Sequence, residues 1–259
     1  MIDTHAHIDF ENYKDNLPQI IDDANTNGIN KIIIPGVVEE NFDRIINIIE
    51  KYENIYGAIG IHPSEALSYN ETIEKRIIEL SRHEKIVAIG EIGLDYYWDK
   101  SFIAEQKEIF KSQIEIAKMA KKPIIVHDRE AHEDTFNILK ETNAKEVGVV
   151  MHCFSGSLEF AKQCVKEGFY IALGGVTTFK NAKKPKEIAK NIPLEYLLLE
   201  TDSPYLTPVP YRGKENQPAY VRFVAEEIAA LRGITIEEVD KMTTKNAIKL
   251  FNLEESDNG

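Results

Sequence analysis

Short apolar runs recur along the chain and alternate with longer stretches whose apolar residues are spaced three and four apart. The runs are nearly continuous isoleucine, valine and leucine, which is typical of parallel strands buried on both faces. The longer stretches have the periodicity of amphipathic helices. The predicted strands lie at 1–7, 31–35, 55–60, 86–91, 123–127, 148–152, 169–173 and 197–202. The predicted helical segments lie at 17–28, 39–52, 71–82, 102–120, 132–141, 158–167, 181–190, 218–232, 236–241 and 245–251.

This alternation of strand and helix predicts a parallel sheet, because parallel neighbours need a crossover connection. Eight such units predict a closed (β/α)₈ TIM barrel, and the chain length fits a fold of about 250 residues. A doubly wound open sheet is the alternative that the pattern leaves open. We interpret residues 1–259 as one barrel domain, with a frayed tail expected at 254–259.

The composition narrows the classes of function. A formal net charge of -12 argues against nucleic-acid binding through a broad basic face, although bound cations would reverse the sign locally. Two cysteines provide no disulfide framework, so a reducing, cytoplasmic environment is expected. We find neither a signal peptide nor an apolar run of the ~20 residues that a membrane span requires, and expect no membrane association. The sequence does not indicate an oligomeric state, and a monomer is the working expectation.

Histidines and acidic residues follow the predicted strands at equivalent points. His5 and His7 close the first strand, where residues two apart share a face. The other candidates at strand ends are Glu91, His127, His152 and Asp202. Because the carboxyl ends of barrel strands surround one mouth, we expect all six side chains to meet there. Imidazoles together with carboxylates, one of them able to bridge, indicate a site for two divalent metal ions.

Each candidate ligand also has a simpler interpretation. His5 and His7 alone are compatible with surface histidines near a terminus, and a single His127 or His152 with a buried core histidine. By contrast, Glu91 stands between glycines at the end of a buried run, where an unpaired charge is costly. The six residues together therefore favour metal ligation.

Further residues near the predicted mouth suit an anionic substrate. His62 ends the third strand and is interpreted as a substrate contact, with a plain loop histidine as the alternative. Arg129 follows the fifth strand and suits bidentate phosphate contact. An ordinary ion pair with Glu130 or Asp134 is the alternative for this arginine.

The loops after the fourth and eighth strands add aromatic and basic residues. Tyr205 and Arg212 follow Asp202 on a proline-rich loop, and we predict that both bind substrate. The aromatic residues 96–98 belong to the core, form a lid or stack on a base. Glu200 alternates with Asp202 and is predicted to lie deeper in the barrel, as the partner of a ligand.

Seven motifs resemble those of the TatD family of metal-dependent deoxyribonucleases, within the amidohydrolase superfamily. The matching stretches span almost the whole chain and are Asp3-Thr-His-Ala-His7, Gly60-Ile-His-Pro63, Gly90-Glu-Ile-Gly-Leu-Asp-Tyr96, His127-Asp-Arg129, His152-Cys-Phe-Ser-Gly156, Glu200-Thr-Asp-Ser-Pro-Tyr-Leu206 and Arg212-Gly-Lys214. The resemblance implies a (β/α)₈ barrel and cleavage of DNA or RNA phosphodiesters, in several members as a 3′ exonuclease. It also implies two divalent metals, the first held by His5, His7, Glu91 and Asp202 and the second by Glu91, His127 and His152.

Three positions depart from the pattern of the family. Ser64 stands where many members have another histidine after His62 and Pro63. Glu215 replaces a residue that is usually basic, and Gln217 replaces a glutamate in the same loop. The departures leave the predicted ligand set intact, and they bear on phosphate affinity and on the choice of substrate.

The predicted mechanism follows from these residues. Two divalent ions (Mg²⁺, Mn²⁺ or Zn²⁺) bridged by Glu91 would activate a water, and Asp202 would accept its proton. Arg129 and His62 would hold the phosphate of a single-stranded DNA or RNA end, which is cleaved in the 3′-5′ direction. The first alternative is hydrolysis of a small amide, lactone or phosphoester at the same metals. The second is a non-catalytic binding protein on the same scaffold, which the intact ligand set disfavours.

Overall fold

The computed structural model describes residues 1–254 and contains eight strands that form one sheet in the order β1 to β8. Each strand pairs in parallel with the next one along the chain. The strands are β1 (Ile2–Asp3), β2 (Lys31–Pro35), β3 (Ile55–Ile59), β4 (Ile86–Asp95), β5 (Ile124–Arg129), β6 (Val149–Met151), β7 (Tyr170–Leu173) and β8 (Leu197–Leu199). The helices are α1 (Leu17–Thr26), α2 (Phe42–Lys51), α3 (Glu71–Leu80), α4 (Ile103–Ala120), α5 (His132–Glu141), α6 (Leu158–Lys166), α7 (Lys183–Asn191), α8 (Val221–Arg232) and α9 (Ile236–Phe251).

Backbone hydrogen bonds between the segments that follow β1 and β8 close the barrel. The amide of Asp202 donates to the carbonyl oxygen of His5 at 2.9 Å, and the amide of His7 donates to that of Ser203 at 2.9 Å. An open sheet would leave these two edges apart, so the predicted TIM barrel is confirmed. These two hydrogen bonds also hold three predicted ligands, His5, His7 and Asp202, at the same rim of the barrel.

Alternate residues of each strand face the barrel interior and the surrounding helices. On β2, Ile33 packs in a cluster to which every strand contributes, whereas Ile32 and Ile34 pack with the residues of the helices. Phe251 and Leu253, at the end of α9 and just beyond it, pack with the interior cluster. The interior is therefore filled with side chains rather than being a pore.

The same alternation directs functional side chains into the barrel mouth. His127 follows the interior residue Ile125 by two positions, and His152 follows Val150 by two positions. Because side chains two apart on a strand share a face, both imidazoles continue the interior face at its carboxyl end. The positions of these side chains thus follow from the fold itself.

Several predicted boundaries differ from the structure. β1 ends at Asp3 rather than at residue 7, and β8 ends at Leu199 rather than at residue 202, so the predicted ligands at these ends lie on the segments beyond the strands. β4 continues to Asp95 instead of ending at Glu91, because residues 92–95 pair with residues 126–129 of β5. The last two predicted helical segments form the single helix α9, in which the hydroxyl of Thr243 donates to the carbonyl oxygen of Val239 at 2.9 Å and is satisfied without breaking the helix. Of the tail predicted to fray, residues 255–259 lie outside the described part of the chain. No helix within residues 1–254 is long and apolar enough to cross a membrane.

Candidate metal centre

Glu91 lies at the centre of the barrel mouth, and its two carboxylate oxygens face different histidines. Oε2 is 3.2 Å from Nε2 of His5. Oε1 is 2.7 Å from Nδ1 of His127 and 3.0 Å from Nε2 of His152. The glutamate side chain is 4% exposed. One buried carboxylate thus separates two groups of nitrogen donors, which is the arrangement of a ligand that bridges two cations.

His5, His7 and Asp202 form the group on one side of this carboxylate. The Nε2 atoms of His5 and His7 are 3.2 Å apart. Oδ1 of Asp202 is 3.7 Å from the first nitrogen and 3.5 Å from the second. The buried carboxylate of Asp3 accepts the backbone N–H groups of His5 at 3.2 Å and of Thr201 at 3.0 Å. Asp3 therefore ties the segment after β1 to the segment after β8 and fixes the geometry of the group.

His127 and His152 form the other group, and each has a further carboxylate behind its ring. Nε2 of His127 is 2.9 Å from Oδ2 of Asp95. Nδ1 of His152 is 3.5 Å from Oε2 of Glu200, whose other oxygen accepts the backbone N–H of Cys153 at 2.6 Å. A carboxylate that is hydrogen-bonded to the ring, as Asp95 is to His127, fixes the orientation and tautomer of a histidine that binds a metal ion. Glu200 lies behind His152 without such a hydrogen bond.

The donor atoms are spaced as the ligands of shared cations are. Among the described residues, four sets of three side chains have donor atoms within 4.8 Å of one another, and two of them are the predicted groups, His5, His7 and Asp202, and Glu91, His127 and His152. The other two sets combine some of these histidines with Glu200 or with His62 and Asp95. Ligands at about 2.0–2.2 Å from an ion lie roughly 3 Å from each other. The Nδ1 atoms of His5 and His7 are buried without a hydrogen-bond partner among the described residues, and their Nε2 atoms lie 3.2 Å apart. The six predicted ligands are thus brought together, and the donor set fits two divalent cations.

The charges in this cluster shift its pKa values in opposite directions. Burial disfavours the ionised form of Glu91, but the charge of the His152 imidazole and the hydrogen bond to His127 outweigh it and hold the pKa of the carboxyl well below its usual range. Burial likewise disfavours the charged form of His152, yet Glu91 and Glu200 raise the pKa of this imidazole well above its ordinary value. The central carboxylate is therefore ionised and ready to bind a cation.

His62 faces the bridging carboxylate from the end of β3. Its Nε2 atom is 3.5 Å from Oε1 of Glu91. Burial, together with the neighbouring His127, lowers the pKa of His62 to about 3. Its Nδ1 atom accepts the backbone N–H of Ser64 at 3.1 Å, so the proton of the neutral ring is on Nε2. His62 thus presents a neutral N–H donor at the base of the mouth. The backbone N–H of Ser64, one of the positions that differ from the family pattern, fixes the tautomer of this ring.

A cavity of about 650 Å³ opens from the cluster to the surface. Its lining includes three of the predicted substrate contacts, His62, Arg129 and Tyr205. The guanidinium carbon of Arg129 is 3.8 Å from the ring centroid of Tyr97. Asp134, an alternative ion-pair partner for this arginine, instead lies 2.7 Å from Nζ of Lys107. Stacking rather than an ion pair therefore holds Arg129 at the cavity.

The sequence matches one protein family over nearly its whole length. The sequence model of the family described as TatD related DNase matches residues 2–252. The chain belongs to the TatD-related DNase family. It is 50% identical over 253 residues to YabD of Bacillus subtilis (strain 168), described as an uncharacterized metal-dependent hydrolase, with 98% of this chain and 99% of the relative covered. The resemblance in the sequence motifs is confirmed, and the protein is a metal-dependent hydrolase.

Solved structures agree with this assignment to the TatD family. The crystal structure of YjjV, a TatD homologue from Escherichia coli K12, superposes with a TM-score of 0.93 at 32% identity and covers 98% of both chains. An uncharacterized amidohydrolase from Saccharomyces cerevisiae gives a TM-score of 0.84 at 17% identity, with 96% of this chain and 99% of that chain covered. The second similarity supports the fold alone.

Arg212 and Glu215, which were predicted near the mouth of the TatD-family site, do not line the cavity. The guanidinium of Arg212 stacks on Phe179 at 3.8 Å from the ring centroid and donates to the carbonyl oxygen of Thr207 at 3.5 Å. Arg212 is not among the residues that line the described cavity. Glu215 accepts a hydrogen bond from the side chain of Asn12 at 2.9 Å. The structure therefore does not bring Arg212 to the predicted ligands, because the loop folds its side chain onto Phe179.

Asp95 is the functional candidate that sequence reasoning missed in the TatD motif at 90–96. The signal was present, since residues 91, 93 and 95 of a continuing strand share a face. The predicted strand ended at Glu91, however, and placed Asp95 in a loop. Asp3 was missed for a different reason, because its motif was interpreted through His5 and His7 alone.

Proposed function

We propose that the protein hydrolyses phosphodiester bonds at the ends of single-stranded DNA or RNA, as a 3′-5′ exonuclease. The observation that carries this proposal is the division of the two oxygens of Glu91 between two histidine groups, beneath a cavity lined by Arg129. A pair of cations suits phosphoryl transfer, since both the attacking and the leaving oxygen need stabilisation. A planar guanidinium beside them suits the phosphate itself.

The predicted ligands would hold two divalent cations, and the residues present fit them. His5, His7, Glu91 and Asp202 would hold one, and Glu91, His127 and His152 would hold the other. When bound, such ions supply Lewis acidity that lowers the pKa of water and neutralises charge developing on the phosphate. Mg²⁺, Mn²⁺ and Zn²⁺ are the candidates, because imidazoles suit zinc and carboxylates suit the other two.

The side chains of the mouth have separate roles in this proposal. Asp202 accepts the proton of the attacking water. Hydrogen bonding to His7 and the charge of His152 outweigh the effect of burial and lower the pKa of Asp202, so the carboxylate is ionised and has a free site for that proton. The Nε2–H group of His62 donates to a phosphate oxygen. The guanidinium of Arg129 binds the same phosphate and orients the strand in the cavity.

Hydrolysis of a short, end-labelled DNA strand tests the proposal. We expect shortening from the 3′ end in Mg²⁺ or Mn²⁺ and no cleavage after a chelator is added. Glu91→Gln should lose activity by more than the roughly 100-fold that an outer-sphere partner costs. Glu105→Gln, at an exposed position on α4, should retain the wild-type rate. Cleavage that survives the chelator, or full activity in Glu91→Gln, would contradict the proposal.

A substrate panel separates the proposed reaction from hydrolysis of small molecules. The panel compares single-stranded DNA and RNA with a small amide, a lactone and a small phosphoester at equal metal concentration. The proposal predicts the highest kcat/KM for a strand. A higher value for a small compound would favour the amidohydrolase-type alternative at the same ligands.

A further inference from the structure

Exposed aromatic rings are concentrated at the mouth of the cavity. Among the described residues, the exposed large hydrophobic side chains include Tyr97, Trp98 and Tyr205, of which Trp98 is 73% and Tyr205 is 54% exposed. Both of these rings line the cavity that contains Glu91 and Asp202. Leaving such rings in water is unfavourable, so their position beside a reaction centre points to a ligand that covers them.

The first aromatic surface follows β4 and is called the Trp98 face, which consists of Tyr97, Trp98 and Arg129. The rings of Tyr97 and Trp98 meet edge to face, with centroids 4.8 Å apart. The guanidinium carbon of Arg129 lies 3.8 Å from the first centroid and 5.3 Å from the second. Cation–π contact thus braces the Trp98 face while the indole remains in solvent.

The second aromatic surface is called the Tyr205 face and consists of Phe10 and Tyr205. The two rings meet edge to face, with centroids 6.4 Å apart. Phe10 is in turn stacked on the imidazole of His7, with centroids 4.7 Å apart. The Tyr205 face is therefore joined directly to a predicted metal ligand, and Phe10 lines the same cavity as Trp98.

We propose that the Trp98 face and the Tyr205 face each stack on a base of an unpaired strand, on the two sides of the phosphate that is cleaved. This inference rests on the proposed nuclease function and names how that site selects its substrate. Stacking on aromatic rings tolerates any base, because every base has a π-face. Paired bases hide these faces within a duplex, so the two surfaces favour single-stranded ends.

The net charge of the protein supports a separate role for stacking in substrate binding. A formal net charge of -12 leaves little general attraction for a phosphate backbone. Arg129 and the cation site provide local attraction for one phosphate, and the two faces provide affinity that does not depend on charge. A strand without bases would retain the attraction of its phosphates to Arg129 and the cation site, but it would lose the stacking on the two faces.

The chain has one tryptophan, so its fluorescence reports directly on the Trp98 face. We would titrate the full-length wild-type protein, with a chelator present so that no strand is cleaved, with a short thymidine strand. The matched titrant is an abasic strand of equal length. Stacking predicts saturable quenching by the thymidine strand at a concentration about 10-fold or more below that for the abasic strand. Equal quenching by both strands, or none by the thymidine strand, would overturn the proposal.

A kinetic experiment distinguishes failure of this inference from failure of the proposed function. Trp98→Leu and Tyr205→Leu should each raise KM for the thymidine strand about 10-fold and leave that for the abasic strand unchanged. Met119→Ala, at an exposed apolar position on α4, is the control and should change neither. Metal-dependent cleavage with an unchanged KM in both leucine variants would overturn the stacking proposal alone. If no strand is cleaved by any variant, the nuclease proposal fails and the fluorescence titration still decides the stacking.

Discussion

Nε2 of His127 lies 2.9 Å from Oδ2 of Asp95, four residues beyond Glu91 on the same strand. The opposite nitrogen of the ring, Nδ1, is 2.7 Å from the bridging carboxylate. His127 is thus held between two acids of β4, one facing the predicted cations and one behind the ring. This arrangement gives Asp95 a positioning role.

Removing the Asp95 carboxylate should weaken metal binding. Asp95→Ala is expected to reduce affinity for Zn²⁺ or Mn²⁺ by about 10- to 100-fold, because His127 loses the partner that fixes its tautomer and orientation. Asp95→Asn should lose less, since the amide oxygen still accepts from Nε2. Calorimetric titration of the metal-free protein measures the change. Asp99→Ala, at an exposed position in the following loop, is the control, and equal affinities in all variants would refute the role of Asp95.

Replacing Arg129 by lysine should separate the effect of the planar guanidinium on substrate binding from the effect of its positive charge. Lysine retains the positive charge, but it loses the planar stack on Tyr97 and the two-pronged contact with phosphate. We expect Arg129→Lys to raise KM for a single strand about 10-fold with a smaller change in kcat. Arg222→Lys, on the exposed side of α8, should have wild-type kinetics. Kinetics of Arg129→Lys that match the wild type would show that charge alone matters at this position.

Gly93 is required where β4 approaches β5. Its φ is +146°, and a Cβ atom placed there would lie 2.0 Å from the carbonyl oxygen of His127. Gly93→Ala should therefore lower the free energy of unfolding by at least about 2 kcal/mol. Gly28→Ala is the matched control, because Gly28 also has a positive φ, +79°, but has open space around it. Its expected cost is about 1 kcal/mol, and urea unfolding that gives equal losses for both would contradict the packing argument.

The pair formed by His132 and Asp128 should make stability depend on pH. Nδ1 of His132 is 2.7 Å from Oδ2 of Asp128, and this hydrogen bond raises the pKa of the imidazole above its ordinary value of 6.5. The unfolded chain binds the proton less tightly, so the stabilisation is complete below pH 6.5 and is lost as pH rises through the folded pKa. Because the ring is 37% exposed, we expect no more than about 1 kcal/mol.

Urea unfolding of the wild type and of His132→Gln, with a chelator present, measures this dependence. The difference in the free energy of unfolding should be largest near pH 6 and should shrink toward about pH 9. Asp128→Asn removes the same pair and should show the same convergence. A difference that grows with pH would contradict the sign of the pKa shift.

Local sequence patterns were sufficient to predict the class of the fold and the kinds of side chain at the barrel mouth. Eight apolar runs with helices between them leave few arrangements that bury both faces of a parallel sheet. Strand alternation then places His127 and His152 at the carboxyl end of the interior face, and the same end of β8 leads into Asp202. These positions can be predicted from a short stretch of sequence, because they depend only on the spacing of residues along one strand.

Contacts between side chains of distant segments could be seen only in the folded chain. β4 extends to Asp95 only because residues 92–95 find partners on β5, and no local pattern contains that pairing. Arg129 stacks on Tyr97, whereas Arg212 stacks on Phe179 and stays off the cavity. Arg129 ends β5 and Arg212 lies in the loop beyond β8. Both side chains are long and flexible, so the neighbours that distant segments bring determine where each one lies. Contacts of this kind depend on the path of the whole chain, and for that reason they could not be deduced from residue spacing.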